Sequence, residues 1–447
     1  MNKKLYIETY GCQMNFSDSE IVASVMTDHH YSATQDQQEA DVIFLNTCSI
    51  RDNAEQKVLN RLKQLQSLRR KKPGLIIGVL GCMAERLKES LLEENELGMR
   101  VDMVVGPDAY RDLPQLMLDA EGGHKAINII LSAEETYADI TPVRYASNGV
   151  SAFISIMRGC QNFCSYCVVP FTRGKERSRD PQTIVIEARE LFETGFREIT
   201  LLGQNVNSFH WKDEEKNLTT GFPELMEMVA GISPLLRVRF ATSHPKDMSD
   251  ELLAVIARNP NICHAIHLPM QSGSSSVLKR MNRKYTRKDY MERIEAIRRI
   301  IPGCAISTDI IAGFCGETPE EHQETLNMME WAGFDFAFMF KYSEREGTLA
   351  AKKYEDDIPE EEKTRRLQEI IKLQQKLSLK SNKIDVGSVV EVLVEGLSKR
   401  SDRHVSGRSS HNKVVVFPDK GYKPGDYVKV RIDSCTAATL LGEGLEE

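Results

Sequence analysis

The sequence predicts an α/β protein in three parts: an open parallel sheet with crossover helices, a partial (β/α)6 barrel and a small antiparallel β-barrel. Three observations predict it. Over the first 122 residues, short apolar runs alternate with amphipathic stretches, as in parallel strands joined by helices. Between residues 146 and 376 this alternation recurs six times. After residue 379 the pattern changes to short β-rich runs separated by glycines.

Length and composition fit a soluble protein with several domains. The chain has 447 residues, which is too long for one core, so we expect domains at residues 3–122, 146–376 and 379–446. A net charge of −7 argues against indiscriminate nucleic-acid binding but allows a local basic face. No apolar run approaches the roughly 20 residues that span a bilayer, and no signal peptide is evident. We expect a cytoplasmic monomer that makes no membrane contact.

The first domain is predicted to alternate strands and helices. Its predicted strands are Leu5–Tyr10, Asp41–Asn46, Leu75–Leu80 and Val101–Gly106. Its predicted helices are Ser17–Asp28 (with Ser17 as the N-cap), Asn53–Lys72 and Ala84–Glu94.

Cys12, Cys48 and Cys82 each fall just past a predicted strand and before a predicted helix. Their spacings of 36 and 34 residues correspond to about one β–α unit each. Loops at the carboxyl ends of parallel strands share one edge of the sheet, so the three thiols are expected to converge there. The alternative is three inert thiols, because free cysteine is often buried.

The second domain is predicted to place its active site at the carboxyl ends of its strands. The predicted strands are Phe153–Met157, Glu198–Leu202, Arg237–Ala241, His264–Leu268, Ala305–Ile311 and Phe336–Lys341. Helices are predicted at Pro181–Thr194, capped by Asp180, and at Arg287–Ile300.

The third domain follows a charged helix predicted at Pro359–Lys383. Its predicted strands are Val389–Val394, Lys413–Phe417 and Tyr427–Ile432.

A loop with the pattern Cys160-x-x-x-Cys164-x-x-Cys167 follows the first predicted barrel strand directly. Structural zinc sites and closed clusters usually take four protein ligands, whereas three thiolates leave one iron of a cubane cluster open. The amino and carboxylate groups of methionine can chelate that iron. The loop therefore indicates a cluster that cleaves S-adenosylmethionine to a deoxyadenosyl radical. Tyr166, beside the last ligand, is a candidate contact for adenine.

Other interpretations of this loop stay open. A zinc ion on three cysteines is the simplest. A redox-active thiol pair is less favoured, because Cys164 and Cys167 do not open a predicted helix. For the whole chain, an RNA-binding protein with a structural or redox cluster is the non-catalytic alternative.

The loop resembles the defining motif of the radical S-adenosylmethionine superfamily. The cysteines at 12, 48 and 82 resemble those of the N-terminal domain of the methylthiotransferases, and the C-terminal region resembles their TRAM domain. Within that family, Gly11-Cys12-Gln13-Met14-Asn15 is similar to the tRNA-modifying MiaB branch. The ribosomal-protein branch, RimO, typically has Pro-Lys after this cysteine. The segments 167–174, 242–245 and 394–399 are also similar to the MiaB branch.

The resemblance implies two [4Fe–4S] clusters, one on each cysteine triple, and two uses of S-adenosylmethionine. It implies transfer of a methylthio group to C2 of N6-dimethylallyl-adenosine next to the anticodon in tRNA. A radical is required because that C–H bond is neither acidic nor electrophilic. A flavodoxin- or ferredoxin-like electron donor is expected. A RimO-like substrate, a residue of a ribosomal protein, is the alternative.

Several polar residues after predicted strands are candidate cofactor contacts. Gly203, Gln204 and Asn205 follow the second barrel strand, and Ser243 and Gln271 follow later strands. For each, the alternative is a structural loop residue. Two residues depart from the family pattern, with Cys315 and Glu346 standing where proline is expected.

The C-terminal domain carries a candidate surface for tRNA. Between residues 399 and 413 there are five basic side chains and one acidic side chain, and the alternative is a solvated charged loop. The basic residues are Lys399, Arg400, Arg403, Arg408 and Lys413. Phe417 is the nearby aromatic residue expected to stack on a base. Cys263, Cys304 and Cys435 are predicted to pack in or near cores, and His264 and His267 to share one strand face.

Overall fold

The computed structural model describes residues 2–48, 52–93, 100–145 and 147–445. Contacts divide the chain into two compact units. The first unit comprises Met1–Ala146, Met157–Phe163 and Cys167–Thr183. The second comprises Ser147–Ile156, Cys164–Tyr166 and Ile184–Glu447.

The strands and helices are numbered separately in chain order. The strands are β1 Lys3–Thr9, β2 Tyr31–Ala33, β3 Val42–Thr47, β4 Ile76–Gly81, β5 Met103–Val105, β6 Ala126–Asn128, β7 Ser151–Ser155, β8 Met157–Arg158, β9 Arg177–Ser178, β10 Glu198–Leu202, β11 His210–Asp213, β12 Leu218–Gly221, β13 Arg237–Ala241, β14 Ala265–His267, β15 Ala305–Ala312, β16 Phe336–Lys341, β17 Val389–Ser398, β18 Ser401–Ser409, β19 Val414–Pro418, β20 Tyr427–Cys435 and β21 Leu440–Gly444. The helices are α1 Gln13–Thr27, α2 Asp52–Lys71, α3 Cys82–Leu87, α4 Leu113–Glu121, α5 Val169–Arg173, α6 Pro181–Glu193, α7 Phe222–Ala230, α8 Asp250–Arg258, α9 Ser275–Arg280, α10 Arg287–Ile300, α11 Pro319–Ala332, α12 Leu349–Lys353 and α13 Glu360–Ile384.

The first unit is built on a parallel sheet in the order β2-β1-β3-β4-β5-β6. Both of its faces are covered, because Phe44 packs in one apolar cluster and its neighbour Leu45 packs in another. The predicted open parallel sheet is confirmed. The edge strands β2 and β6 were not predicted, because each has only three residues and they are mostly half-buried or exposed.

Two helices of this unit differ from the prediction. The first begins at Gln13 with Cys12 at the N-cap, so the prediction that Ser17 caps it is wrong. The polar residues that suggested a later start face the interior of the unit, where Ser17 is 2% exposed. The helix predicted at Ala84–Glu94 ends at Leu87, because Lys88 adopts a positive φ of 51° and a short 3₁₀ turn follows. Glu94 itself lies outside the described residues.

The second unit contains the predicted partial (β/α)6 barrel. β7, β10 and β13 form one parallel set and β14, β15 and β16 form another. A parallel bridge between Val238 and Ile262 connects the two sets, and the Cys263 amide donates to the Val238 carbonyl over 2.9 Å. The predicted bounds of β10, β13, β16 and α10 are confirmed.

The C-terminal part of the second unit is a closed barrel in the order β17-β18-β19-β21-β20. The small β-barrel is confirmed, with two more strands, β18 and β21, than were predicted. Four of its pairings are antiparallel, while β19 and β21 run parallel. Arg239 of the partial (β/α)6 barrel contacts this closed barrel, because its Nη2 donates to the Ser409 carbonyl over 2.8 Å.

The helices offer no candidate for a membrane span. Throughout the described segments, none is both long and apolar enough to cross a bilayer.

Candidate active site

Cys12, Cys48 and Cys82 all lie in the first unit, at the carboxyl edge of its sheet. Cys12 caps α1, Cys48 directly follows β3 and Cys82 is the first residue of α3. The Cys48 thiol donates a hydrogen bond to the Cys12 sulfur and thereby lowers the pKa of Cys12 to about 6. Each of the three cysteines therefore lies at a strand end of one sheet, as the sequence predicts. Their convergence on one cluster stays a prediction.

Glycine and asparagine residues shape the loop that carries Cys12. Gly11 has a φ of +125°, and a Cβ there would lie 2.3 Å from the Cys48 Cβ. Only glycine therefore lets these two segments approach so closely. The Asn46 side chain donates to the Asn15 carbonyl and the Ser19 hydroxyl, each over 2.9 Å.

An arginine contacts the third cysteine of this set. The Arg173 Nε donates to the Cys82 Sγ over 3.2 Å, and its Nη2 donates to the Asp18 carboxylate over 2.6 Å. Burial raises the pKa of the Cys82 thiol, and the positive charge of Arg173 opposes that shift.

A buried ion network surrounds these contacts in the first unit. Arg158, which is 1% exposed, donates to Asp18 over 2.8 Å and lies against Asp108 at 3.4 Å. Arg177 donates to both oxygens of Asp108, over 2.9 and 3.0 Å. Each buried charge therefore has a partner of opposite sign, which buried ions require. The network fixes the segments on both sides of the three-cysteine loop to the sheet.

The loop itself begins at a sharp turn. Gly159 has a φ of +80°, and a Cβ there would lie 1.9 Å from the Lys175 carbonyl oxygen. The Cys160 amide donates to the Gly174 carbonyl over 3.1 Å, and the Asn162 side chain lies 3.6 Å from the Cys160 sulfur. The predicted role of Gly159 in turning the chain off the strand agrees with this conformation.

The middle cysteine of the loop belongs to the second unit. Cys164 accepts a hydrogen bond from the Arg283 Nη1 over 3.2 Å. Its neighbour Ser165 is fixed on both sides: its amide donates to the Met281 carbonyl over 2.9 Å, and its carbonyl accepts from the Ala350 amide over 2.6 Å. The loop therefore crosses from the first unit to the second and returns before Cys167.

Among the residues that the structure describes, no three His, Cys, Asp or Glu side chains form a group suited to one metal ion. A cubane cluster is larger, since each of its ligands binds a different iron. None of the six cysteines of the two triples forms a disulfide bond. Their donor set fits a cluster, and the two arginine N–H groups fit the negative charge of its thiolates.

Several polar side chains that follow strands of the partial (β/α)6 barrel have buried atoms without hydrogen-bond partners in the described structure. Within the described chain, both amide atoms of Gln204 and the Ser243 hydroxyl are buried without a hydrogen-bond partner. Asn205 donates to Asp247 over 2.7 Å, while its Oδ1 is also unpartnered. Such buried groups are rare unless a ligand or water satisfies them. These residues, which follow the buried Gly203, are suited to hold a polar ligand.

Two other predicted cofactor contacts are engaged differently. Gln271 has a φ of +67°, and its backbone amide donates to the Asp309 carbonyl over 2.8 Å. Tyr166 is half-buried, and its ring meets Phe314 edge-on at 6.5 Å.

The predicted RNA-binding residues separate into two sets. Lys399, Arg400 and Arg403 are exposed. The other two are committed within the protein, because Lys413 pairs with Asp385 at 2.7 Å and Arg408 pairs with Glu395 at 3.1 Å.

The aromatic residue expected to stack on RNA does not reach the surface. Phe417 is 0% exposed and packs inside the closed barrel, so that prediction is wrong. Side chains alternate between the two faces of a strand, and Phe417 lies on the face of β19 that points into the barrel. Exposed aromatics lie elsewhere, since Phe163 and Phe171 of the first unit are each 49% exposed and meet edge-on at 6.4 Å.

Several residues noted in the sequence have structural positions. Cys263 and Cys304 are buried, and Cys435 packs against the core of the closed barrel, as predicted. The expectation that His264 and His267 share one face is wrong, because strand residues three apart point to opposite sides. His264 contacts His411, while His267 contacts Phe338.

The two departures from the family pattern lie in different environments. Cys315 is buried in a small apolar cluster with Phe314 and Tyr342. Glu346 is exposed, beside a turn in which the Thr348 amide donates to the Arg345 carbonyl over 3.2 Å.

Family models match three segments of the chain. Residues 4–106 match the uncharacterized protein family UPF0004, residues 154–329 match the radical SAM superfamily, and residues 383–445 match the TRAM domain. The radical SAM superfamily implies a [4Fe–4S] cluster and S-adenosylmethionine.

Curated relatives resemble the chain over nearly its whole length. A protein of Amoebophilus asiaticus is 59% identical over 99% of this chain and 93% of its own length, and it is named tRNA-2-methylthio-N(6)-dimethylallyladenosine synthase. Proteins of Parabacteroides distasonis and Bacteroides fragilis with the same name are 58% and 57% identical, and the match covers 96% of each. The chain belongs to the tRNA-2-methylthio-N(6)-dimethylallyladenosine synthase family. The resemblance to the MiaB branch is thereby confirmed.

Solved structures support the fold of this family member. A radical S-adenosylmethionine methyltransferase, TsrM from Kitasatospora setae, is 13% identical and has a TM-score of 0.56, over 76% of this chain and 73% of that chain. The cobalamin-dependent S-adenosylmethionine radical enzyme OxsB has a TM-score of 0.53, over 83% of this chain and 56% of that chain. At these identities the likeness concerns the fold alone.

Sequence reasoning missed functional candidates in each unit of this family member: Arg173 in the first unit, and Asn207, His244 and Arg283 in the second. Both amide atoms of Asn207 and the Nε2 of His244 are buried without a partner among the described residues. Burial, with Arg283 and Lys246 nearby, lowers the pKa of His244 to about 2, so the ring is neutral. A signal was available for His244, which lies in the segment 242–245 that is similar to the MiaB branch.

Proposed function

We propose that the protein transfers a methylthio group to C2 of N6-(dimethylallyl)adenosine next to the anticodon in tRNA. The proposal combines membership in the synthase family with one structural observation: Cys12, Cys48 and Cys82 lie at the carboxyl edge of one parallel sheet. The reaction is a radical S-adenosylmethionine methylthiolation, and the protein is a tRNA methylthiotransferase.

Two [4Fe–4S] clusters are proposed, each on three thiolates. Cys12, Cys48 and Cys82 hold the auxiliary cluster. Cys160, Cys164 and Cys167 hold the second cluster and leave one iron for S-adenosylmethionine, as their close spacing in the sequence favours. When bound, these groups supply the electron that cleaves S-adenosylmethionine and the site from which the methylthio group is transferred.

The protein's own residues bind and orient the reactants. Gln204, Asn205 and Ser243 have buried polar atoms free to receive the methionine end of S-adenosylmethionine. Gly203 and Gln271 shape this pocket through the backbone, and Tyr166 contacts adenine. His244 is a further proposed contact: its Nδ1 accepts from the Lys246 amide over 3.3 Å, which leaves the proton on Nε2. A neutral donor there binds a carboxylate without adding charge.

The tRNA is proposed to contact two surfaces. Lys399, Arg400 and Arg403 on the β17–β18 hairpin bind phosphates, since they are exposed and basic. Arg408 and Lys413 are proposed to support this surface structurally, since Arg408 pairs with Glu395 and Lys413 pairs with Asp385. The exposed aromatic pair of the first unit stacks on unpaired bases of the anticodon loop, as single-stranded RNA requires.

The wider setting is proposed on the same basis. The protein acts in the cytoplasm as a monomer and receives electrons from a flavodoxin- or ferredoxin-like donor. Its working parts are an N-terminal domain at residues 3–122, a radical core at 146–376 and a TRAM domain at 379–446.

The experiment is anaerobic incubation of the reconstituted protein with reductant, S-adenosylmethionine and a tRNA anticodon stem-loop bearing N6-(dimethylallyl)adenosine. We expect the 2-methylthio nucleoside by mass spectrometry, together with deoxyadenosine and S-adenosylhomocysteine. The Cys160→Ala variant should release no deoxyadenosine, while the control Cys263→Ala should stay active. Deoxyadenosine without any modified nucleoside would point to another substrate, such as a ribosomal protein. If the unaltered protein released no deoxyadenosine, the result would favour the alternative hypothesis of a non-catalytic RNA-binding protein with an iron–sulfur cluster.

A further inference from the structure

Arg173 contacts Cys82 within the first unit. It ends α5, six residues after Cys167, and that helix packs against α3, which begins with Cys82. Its Nε donates to the Cys82 Sγ over 3.2 Å, and its Nη2 donates to Asp18 over 2.6 Å. The side chain is almost completely buried, with a residue exposure of 2%.

Charge neutralisation alone does not account for this arginine. Asp18 already pairs with Arg158 at 2.8 Å, so its carboxylate has a cationic partner without Arg173. The Arg173 Nη1 is buried without a hydrogen-bond partner among the described residues. An unsatisfied buried donor destabilises the folded protein. The Arg173 guanidinium is buried beside the Cys82 sulfur although one of its donors has no partner in the part of the chain that the structure describes. This arrangement points to a role for Arg173 in the chemistry of that sulfur.

We propose that Arg173 is a positioning residue for the Cys12/Cys48/Cys82 centre, where its Nε–H holds Cys82 as a ligand and raises the reduction potential of the bound cluster. The inference rests on the proposed function, in which these cysteines carry the auxiliary cluster. Reduction adds one electron, supplied by a reductant such as dithionite, and no bond forms or breaks. A positive N–H donor stabilises the extra negative charge on the thiolate and so favours the reduced state.

The position of Arg173 gives this role a structural consequence. The segment 160–173 supplies Cys160 and Cys167 to the radical loop and, at its end, the hydrogen bond to Cys82. The group that tunes one centre therefore lies on the chain segment that carries ligands of the other.

The test uses full-length protein in which Cys160, Cys164 and Cys167 are all replaced by Ala, so that only the auxiliary cluster can form. Arg173→Lys keeps a positive charge for Asp18 but removes the N–H fork, and Arg173→Gln removes the charge as well. Arg177→Lys is the matched control, because Arg177 is a buried arginine that donates to Asp108 and to carbonyl groups. Iron and sulfide content, the electron paramagnetic resonance spectrum and a dye-mediated potentiometric titration are measured for each.

We expect Arg173→Lys to lower the midpoint potential by about 59 mV, a tenfold change in the one-electron equilibrium, and Arg177→Lys to leave it unchanged. Loss of the cluster in both Arg173 variants, with retention in Arg177→Lys, would also support the proposal. An intact cluster with an unchanged potential in Arg173→Lys, or equal effects in Arg177→Lys, would overturn it. No iron in the triple-alanine background itself would instead reject the proposed auxiliary cluster.

Discussion

The guanidinium of Arg283 donates a hydrogen bond to the Cys164 Sγ over 3.2 Å. The same guanidinium is fixed on its other sides, since its Nε donates to the Tyr285 hydroxyl over 3.0 Å and its Nη2 to the Pro269 carbonyl over 3.3 Å. This hydrogen bond in the second unit is of the same kind as the one that Arg173 donates to the Cys82 sulfur in the first unit. In the described structure, a cysteine of each triple thus accepts an N–H hydrogen bond from an arginine, as is expected around thiolate ligands.

Replacing Arg283 by Lys should slow cleavage of S-adenosylmethionine roughly ten- to a hundredfold, because a hydrogen bond to a charged group contributes about 1.5–3 kcal/mol. The measurement is the rate of deoxyadenosine formation with excess dithionite, alongside the yield of S-adenosylhomocysteine. We expect methyl transfer to be unaffected. Arg287→Lys is the control, because the Arg287 guanidinium donates to the carbonyls of Gly273 and Glu324. Equal rates for the two variants would contradict a role for the Arg283–Cys164 contact.

Replacing Gln204 by Met should weaken S-adenosylmethionine binding at least about tenfold while leaving the ligand-free protein equally or more stable. Both amide atoms of Gln204 are buried without a partner in the described structure, so an apolar side chain removes a cost in the absence of ligand. Anaerobic equilibrium dialysis and calorimetric melting give the two values. The control is Gln374→Met, which loses a hydrogen bond to the Phe334 carbonyl and should lower Tm without changing binding. A Tm loss without weaker binding at Gln204 would contradict the assignment.

Replacing Lys399, Arg400 and Arg403 together by Gln should weaken tRNA binding and flatten its salt dependence. If all three neutralise phosphates, the slope of log K against log salt should fall by about 2–3. Fluorescence anisotropy at several salt concentrations measures it. Lys413→Gln should instead lower Tm, because Lys413 pairs with Asp385 inside the second unit. An unchanged slope in the triple variant would remove these residues from the RNA surface.

Replacing Phe163 and Phe171 together by Ala should raise the KM for the anticodon stem-loop about fivefold or more, since base stacking contributes about 1–3 kcal/mol per base. Both rings are exposed, so their loss should change stability little. Steady-state kinetics on the modified stem-loop supply the KM. Leu118→Ala, another exposed apolar residue on α4, is the control and should leave KM unchanged. An unchanged KM in the double variant would show that these rings do not contact RNA.

The sequence predicted those parts of the fold that depend on local pattern. β10, β13 and β16 were predicted with their bounds because each is a short strand-like run, mostly apolar in β10 and β16 and alternating in β13. The strand-end positions of the first cysteine triple followed from the same alternation. Phe417 was assigned wrongly because a charged neighbourhood in the sequence does not reveal which face of a strand it occupies.

Contacts between distant residues explain the rest. Arg173 and Cys82 are 91 residues apart, and Arg283 and Cys164 are 119 apart, so no window along the chain relates them. The unpartnered atoms of Gln204 and His244 likewise appear only when the surrounding elements are in place. Lys413 lies in a basic stretch of the sequence that is typical of a phosphate-binding surface. Its ion pair with Asp385 is visible only in the tertiary structure.

The central claim is that two separate cysteine triples each carry a [4Fe–4S] cluster. Anaerobic iron and sulfide analysis of the full-length protein and of two triple-alanine variants tests it most directly, one lacking Cys12, Cys48 and Cys82 and the other lacking Cys160, Cys164 and Cys167. We predict about eight irons per chain for the unaltered protein and about four for each variant, with no S-adenosylmethionine cleavage by the second variant. Iron content in either variant equal to that of the unaltered protein would contradict the account.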